Sequence, residues 1–292
     1  MDSAPARSWI LRGDTPHALG ATDTVDILRA VGRGVYEGFR TYDGTRVFRF
    51  GAHALRLESG RAQFGLGIPI DLAALGHGLG RILDELHAEN SSTDWKVRID
   101  HAETDLSGIE PSGEASRIVV QAWPWRPVPA QVLEQGANCA LEHELQREDP
   151  RIKGTAFSLR RMQTTFPGND NYESILVSPT GDLLEGVMSG LGLVVGNELW
   201  TAGAGVLPSL TIESACKLAE SAEVIVRREA LKRADLSQVQ EAFLASSARG
   251  LIPIRCIDGA ELRSAGPGEL TLKLRAMLEA IEKREARRPD NR

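Results

Sequence analysis

The chain has 292 residues, a net charge of −6, 42% hydrophobic residues and 25% charged residues. Its length exceeds what one compact core usually contains, so we expect two domains or a single large α/β domain. The negative charge argues against nucleic acid or an anionic membrane as the main partner. Cys139, Cys216 and Cys256 lie far apart without paired Cys or His spacing, which argues against a disulfide framework or a bound metal.

Targeting signals are not visible in the sequence. The first residues lack the long apolar run of a signal peptide, and no apolar stretch is long enough to span a bilayer. We therefore expect a cytoplasmic protein.

Secondary structure in the first half follows from turn signals and hydrophobic periodicity. A strand is predicted at 46–50 and a helix from His53 to Phe64. A second helix is predicted to begin near Asp71, which would cap it. Strands are predicted at 97–100 and 118–122. The glycine-rich run 76–80 falls inside the second helix and lacks the spacing of a dinucleotide-binding loop.

A proline-rich segment predicts the domain boundary. Pro124, Pro127 and Pro129 deny backbone donors to a continuing strand or helix. We place an N-terminal α/β domain at 1–122, a linker at 123–130 and a larger C-terminal domain at 131–292.

The second half predicts further strands and helices. Strands are expected at 172–177, 191–195 and 241–245, an extended segment at 223–226, and helices at 211–220 and 270–283. The charged tail 284–292 is expected to be frayed.

Several polar residues lie where these elements begin or end, which is where α/β proteins assemble ligand sites. They are Arg56, Lys153, Glu185, Thr211, Ser246 and Ser247. One lysine, one carboxylate, one arginine and several hydroxyls would suit a cofactor with an aldehyde, a ring nitrogen and a phosphate. Composition alone does not identify that cofactor.

Blocks of sequence between about residues 32 and 259 occur in the same order as in a known family. They are Gly34-Val35-Tyr36-Glu37-Gly38-Phe39-Arg40 with Phe48-Arg49 and His53-xx-Arg56-Leu57, then Asp149-Pro150-Arg151-Ile152-Lys153, Leu184-Glu185-Gly186, Leu207-Pro208-Ser209-Leu210-Thr211, and Phe243 to Ile254. Together they resemble the class IV aminotransferases, which are fold-type IV pyridoxal-phosphate (PLP) enzymes.

The resemblance implies two α/β domains with PLP in the cleft between them, in a homodimer. Lys153 would hold PLP covalently and carry the proton at the substrate α-carbon. Glu185 would lie against the pyridine nitrogen, and Arg56 would bind the phosphate. Leu210 and Thr211 would bind the phosphate at a helix N-terminus, and Ser247 and Ser246 would add hydroxyl contacts.

The substrate-binding residues are less well defined. Tyr36, Arg40, Arg98 and Ala248 are candidates, with the two arginines considered for the substrate carboxylate. A structural role, with the Arg98 side chain pointing outward from its strand, fits the sequence equally well. We expect His53 and His101 to be structural.

Three departures from the family pattern bear on the substrate. Ser189-Gly190 stands where the family often has Ser-Asn, and Ser209-Leu210-Thr211-Ile212 stands where it often has Gly-Ile-Thr-Arg. Phe157-Ser158 stands where branched-chain members carry a tyrosine that bonds the cofactor's phenolic oxygen.

The resemblance implies a transaminase that moves an amino group between a branched-chain or D-amino acid and a 2-oxo acid. The alternatives are a lyase similar to aminodeoxychorismate lyase, an (R)-amine transaminase, and a binding protein on the same scaffold. Glu37-Gly38 after Tyr36 favours a transaminase, and Lys153, Glu185 and Arg56 together argue against a mere binding protein.

Overall fold

The computed structural model describes residues 6–109, 115–163 and 171–291. The helices are α1 Thr24–Val31, α2 Phe50–Gln63, α3 Leu72–Glu89, α4 Ala130–Gln135, α5 Thr155–Gln163, α6 Leu210–Ser221 and α7 Glu269–Glu285. The strands are β1 Ala6–Arg12, β2 Thr15–Thr22, β3 Gly34–Tyr42, β4 Arg46–Val47, β5 Trp95–Ala102, β6 Ile118–Pro124, β7 Ala137–Glu142, β8 Glu173–Val177, β9 Leu183–Gly186, β10 Gly190–Val195, β11 Glu198–Trp200, β12 Ile225–Arg227, β13 Glu241–Ser246, β14 Gly250–Ile257 and β15 Ala260–Glu261.

The chain divides into two compact units. Unit 1 comprises residues 1–126, 152–159 and 282–292, and unit 2 comprises 127–151 and 160–281. The change from one unit to the other at 126/127 falls inside the predicted linker 123–130. The predicted domain 131–292 corresponds to unit 2 only in part, because 152–159 and 282–292 belong to unit 1.

Unit 1 is built on a sheet with strand order β2-β1-β6-β5-β3-β4. Alternation along β1 sends Trp9 and Leu11 to one face and Ile10 to the other. The first face packs against α2 and α3, and the second face packs against α1. Both faces of this sheet are therefore covered by helices.

Helix α3 begins where the sequence predicts. The Asp71 carboxylate accepts from the N–H groups of Ala73 and Ala74, which satisfies two of the first-turn donors. Helix α2 begins at Phe50, so the strand predicted at 46–50 is wrong beyond Val47.

The expectation of a frayed C-terminal tail is also wrong. Ala286 is fully buried, and the main chain of Arg287 exchanges two hydrogen bonds with Val47. Arg288 pairs with Asp84 of α3. The glycines of α3 make room for this tail, since a Cβ on Gly76 would lie 2.6 Å from the carbonyl oxygen of Pro289.

Unit 2 is built on a longer sheet with strand order β12-β11-β10-β13-β14-β7-β8-β9, and β15 pairs with β14. Helices α6 and α7 cover one face, where Leu274 and Leu278 of α7 pack with Phe243 of β13. The opposite face carries a second apolar core that includes Ile175 and Leu244. The helix predicted at 270–283 is confirmed as α7.

Among the described residues, none of the helices has the length and apolar character needed to cross a membrane.

Candidate active site

Lys153 lies on the segment before α5, and this segment is hydrogen-bonded to β3. The Tyr36 N–H donates to the Lys153 carbonyl at 2.9 Å, and Val35 and Gly154 form a β-bridge. The half-buried Lys153 ammonium lies 5.1 Å from the centre of the Tyr36 ring. These contacts hold the amine beside β3 of the unit 1 sheet.

Arg56 forms a bidentate ion pair with Glu37. Its Nε donates to Glu37 Oε1 at 2.7 Å and its Nη2 to Oε2 at 2.8 Å. The Nδ1 of His53 lies 2.9 Å from the same Oε2. A carboxylate inside the sheet therefore orients the arginine expected to bind phosphate.

The charges around Glu37 keep it ionised despite its burial. Burial alone would raise the pKa of Glu37, but the positive charges of Arg56 and Lys153 outweigh it and hold that pKa well below its usual range. Burial lowers the pKa of His53, although Glu37 opposes the shift. The cluster thus carries a negative charge at Glu37 beside two cations.

His101 is the second buried histidine of unit 1. Burial and the charges of Arg117 and Arg61 lower the pKa of His101 to about 4. The ring is therefore neutral near pH 7, as expected for a structural histidine.

Arg98 is held by groups of its own unit. Its Nε and Nη2 each donate to Asp100 at 2.7 Å, and its Nη1 donates to the Ser158 hydroxyl at 2.8 Å. The guanidinium also stacks on Tyr36, with Cζ 3.8 Å from the ring centre. The outward-facing orientation considered for Arg98 is wrong, because the side chain is buried. All three guanidinium nitrogens have partners, so the contacts favour a structural role inside the unit.

Arg40 lies close to two aromatic rings. Its guanidinium carbon is 4.3 Å from the centre of the Tyr42 ring and 4.2 Å from the centre of the Trp125 ring. Cation–π contacts with both rings hold this side chain near the end of β3.

Glu185 of unit 2 forms a buried ion pair with Arg147. The Arg147 Nε donates to Glu185 Oε1 at 2.6 Å, and the two side chains are only 5% and 4% exposed. The main-chain N–H of Leu207 also reaches Oε1, at 3.3 Å. The guanidinium fixes the orientation of the carboxylate and favours its charged form.

The residues expected to bind phosphate in unit 2 lie together at the start of α6. Ser209 caps the helix by accepting from the N–H of Ile212. The Thr211 and Ser247 hydroxyl oxygens are 3.1 Å apart, which joins the first turn of α6 to the end of β13. Leu210 is the first helical residue, and Ser246 ends β13. A helix N-terminus with hydroxyls beside it suits an anion.

Two departures from the family pattern compensate for each other sterically. A Cβ on Gly190 would lie 2.3 Å from the Ile212 side chain. Ile212 therefore fills the space that a side chain at position 190 would need. Ile212 on α6 in this position therefore requires a glycine at position 190 on β10.

The sequence alone did not single out Glu37, Arg147, Glu173 or Arg249 as polar partners in these clusters. Glu37 and Arg249 stand inside the quoted blocks. Both could have been recognised as charged residues within or directly beside an apolar strand, because a buried charge needs a partner. Arg147 and Glu173 become recognisable only once the strands are paired.

The residues present fit PLP. An ionised, buried carboxylate at Glu185 can accept from a ring nitrogen. Within unit 2, the hydroxyl pair at the start of α6 suits a phosphate. Within unit 1, the oriented Arg56 also suits a phosphate, and Lys153 offers a partly buried amine.

Comparison with known proteins supports the same conclusion. The family model described as "Amino-transferase class IV" matches residues 34–257. This chain belongs to the class IV aminotransferase family. It is a PLP-dependent aminotransferase with the fold of the fold-type IV enzymes.

Individual relatives of this aminotransferase have modest identity. The branched-chain-amino-acid aminotransferase of Escherichia coli K12 is 25% identical over 258 residues, covering 83% of this chain and 82% of the relative. The D-alanine aminotransferase of Bacillus licheniformis is 23% identical, covering 89% and 91%. The PLP-bound structure of a hypothetical aminotransferase from Mycobacterium tuberculosis has a TM-score of 0.74 at 18% identity, covering 94% of this chain and 98% of that one.

Proposed function

We propose that this aminotransferase moves an amino group between a branched-chain or D-amino acid and a 2-oxo acid, with Lys153 as its catalytic residue. The observation that carries the proposal is a partly buried lysine held on β3 beside the oriented Glu37–Arg56 pair. Bound PLP supplies an aldehyde for the amine and a ring that accepts electrons.

Lys153 has two tasks in this proposal. Its Nζ is the attachment point for the cofactor in the resting enzyme. With PLP bound, the neutral amine of Lys153 would take the proton from the substrate α-carbon and deliver it to the cofactor carbon C4′. The backbone bond between Tyr36 and Lys153 keeps the amine in place during both tasks.

The other residues bind and orient the cofactor. Glu185 keeps the pyridine nitrogen protonated, and its ion pair with Arg147 keeps the carboxylate charged for this purpose. Arg56, which Glu37 orients, binds the phosphate. The first turn of α6, at Leu210 and Thr211, and the hydroxyls of Ser246 and Ser247 bind phosphate as well.

The substrate class rests on the relatives and on the arginines. The relatives are named for branched-chain amino acids and for D-alanine, which have apolar side chains and a single carboxylate. Arg98 is saturated by Asp100 and Ser158, so it does not offer a free cation for a second carboxylate. We propose that Tyr36 contacts the substrate side chain and that Ala248 contributes its main chain. Like its family, the enzyme is proposed to act as a cytoplasmic homodimer.

A half-reaction screen tests this function. The holoenzyme is mixed with single L-amino acids, D-amino acids or (R)-amines, and the visible absorbance of bound cofactor is followed. We expect bleaching with leucine, isoleucine and valine or with D-alanine, and recovery of the absorbance on adding 2-oxoglutarate. Release of pyruvate from aminodeoxychorismate, without amine transfer to any oxo acid, would replace the proposal by a lyase.

A further inference from the structure

The hairpin that joins β13 to β14 carries both phosphate-side serines and an arginine. Ser246 pairs with Gly250 across the hairpin, and the Arg249 N–H donates to the Ser246 carbonyl at 3.2 Å. Gly250 has a φ of +69°, which glycine adopts without strain. The hairpin therefore reverses direction in a tight turn with glycine in the left-handed conformation directly after Arg249. It places the Arg249 side chain next to the two serines.

The Arg249 guanidinium reaches a buried carboxylate on another strand. Its Nη2 donates to Glu173 Oε2 and to the Ser189 hydroxyl, each at 2.7 Å, and its Nε approaches the Ser246 hydroxyl at 3.3 Å. The guanidinium carbon also lies 5.4 Å from the centre of the Tyr172 ring. Burial works against the charge on Arg249, but Glu173 outweighs it and raises the arginine's pKa. Arg249 is therefore a fixed cation.

Glu173 connects this hairpin to the turn that follows Glu185. Its Oε1 accepts from the Met188 N–H at 2.7 Å, and its Oε2 accepts from the Ser189 hydroxyl at 3.0 Å. A Cβ on Gly186 would lie 2.4 Å from Glu173 Oε1, so this carboxylate fits only beside a glycine. The turn at 187–189 leads directly from the end of β9, which carries Glu185.

We propose that Arg249 and Glu173 are positioning residues that set the spacing between Glu185 and the serine hydroxyls of the Ser246–Gly250 hairpin. The proposal rests on the proposed function of Glu185 and of these serines in binding PLP. Glu173 binds the turn after Glu185 through Met188 and Ser189 and binds the hairpin through Arg249. Because PLP is rigid between its ring nitrogen and its phosphate, a fixed spacing lets one molecule bind at both ends.

The test compares cofactors with and without the phosphate. Dissociation constants of PLP and of pyridoxal are measured for the full-length apoenzyme and for the variants Arg249→Gln and Arg249→Lys. If the ion pair positions the serines, PLP affinity should fall at least tenfold while pyridoxal affinity changes less than twofold. Arg249→Lys keeps a cation beside Glu173, so the two dissociation constants are compared in this variant if Arg249→Gln does not fold. Lysine lacks the guanidinium fork, so only partial rescue is expected.

Arg275 provides a matched control. Its side chain is 19% exposed, against 20% for Arg249, and it also binds a carboxylate and a second oxygen, at Glu279 and the Leu251 carbonyl. Arg275→Gln should lower the melting temperature and leave the ratio of the two affinities unchanged. An unchanged ratio in folded Arg249 variants would overturn the inference. If the wild-type protein itself does not bind PLP, the proposed function fails, which is a separate result.

Discussion

Replacing Glu37 by Gln tests the ion pair that orients Arg56. The carboxylate accepts two bonds from Arg56 and one interaction from His53, and its side chain is 1% exposed against 14% for Arg56. Removing one partner of a buried ion pair costs about 3–5 kcal/mol, because the remaining charge loses its counterion. Since Arg56 retains some contact with water, we expect a loss near the lower limit, about 3 kcal/mol.

The consequences are measured separately for stability and for cofactor binding. Urea unfolding of the apoenzyme at pH 7.5 gives the free energy of unfolding, and equilibrium dialysis gives the dissociation constant of PLP. Without Glu37, Arg56 is no longer held in one orientation, so PLP affinity should fall about tenfold, which corresponds to about 1.4 kcal/mol.

Glu58→Gln is the control for this substitution. Glu58 forms a bidentate pair with Arg61 on the same helix, with the side chains 25% and 10% exposed. This more solvated pair should contribute only about 1 kcal/mol to stability, and its loss should leave PLP affinity unchanged. Equal effects of the Glu37 and Glu58 substitutions on stability and on PLP affinity would refute the reasoning.

Three further substitutions or conditions give distinct outcomes. Arg147→Gln leaves Glu185 buried without its counterion, so stability should fall by about 3 kcal/mol; kcat at saturating PLP should fall as well, and an unchanged kcat would contradict the orienting role. Folding lowers the pKa of His101 from 6.5 to about 4, so the contribution of the neutral ring to stability is complete above pH 6.5 and is lost as the pH falls towards 4. The free energy of unfolding should therefore drop by about 2 kcal/mol between pH 8 and pH 5, and His101→Gln should remove that part of the drop. Gly76→Ala should cost about 1–3 kcal/mol by overpacking against the C-terminal tail, whereas Gly51→Ala, where a Cβ meets nothing within 4 Å, should leave the melting temperature nearly unchanged.

Hydrophobic periodicity and helix capping predicted some of the regular elements, among them α3 and β13. The apolar spacing and the cap at Asp71 locate the start of α3, and the apolar run ending in Ser246 locates β13. Both signals are local, because a helix or strand buries one face at a fixed period. Residues that belong to such elements could therefore be placed from the sequence.

The partners of the charged residues could not be predicted in the same way. Arg56 meets Glu37 across a helix and a strand, Arg147 meets Glu185 over 38 residues, and Arg249 meets Glu173 over 76. Such pairs depend on strand order and register, which a single sequence does not specify. The docked tail is missed for the same reason, since 284–292 is charged but meets complementary groups such as Asp84.

Borohydride reduction of the holoenzyme followed by peptide mapping tests the central claim most directly. Reduction fixes the cofactor to the amine that holds it, and mass spectrometry identifies the labelled lysine. We expect the pyridoxyl group on Lys153, and we expect Lys153→Ala to lose both the label and several orders of magnitude in turnover, because the nucleophile and the proton carrier are lost together. A pyridoxyl group on Lys96 or Lys217, with Lys153 unmodified, would contradict the account.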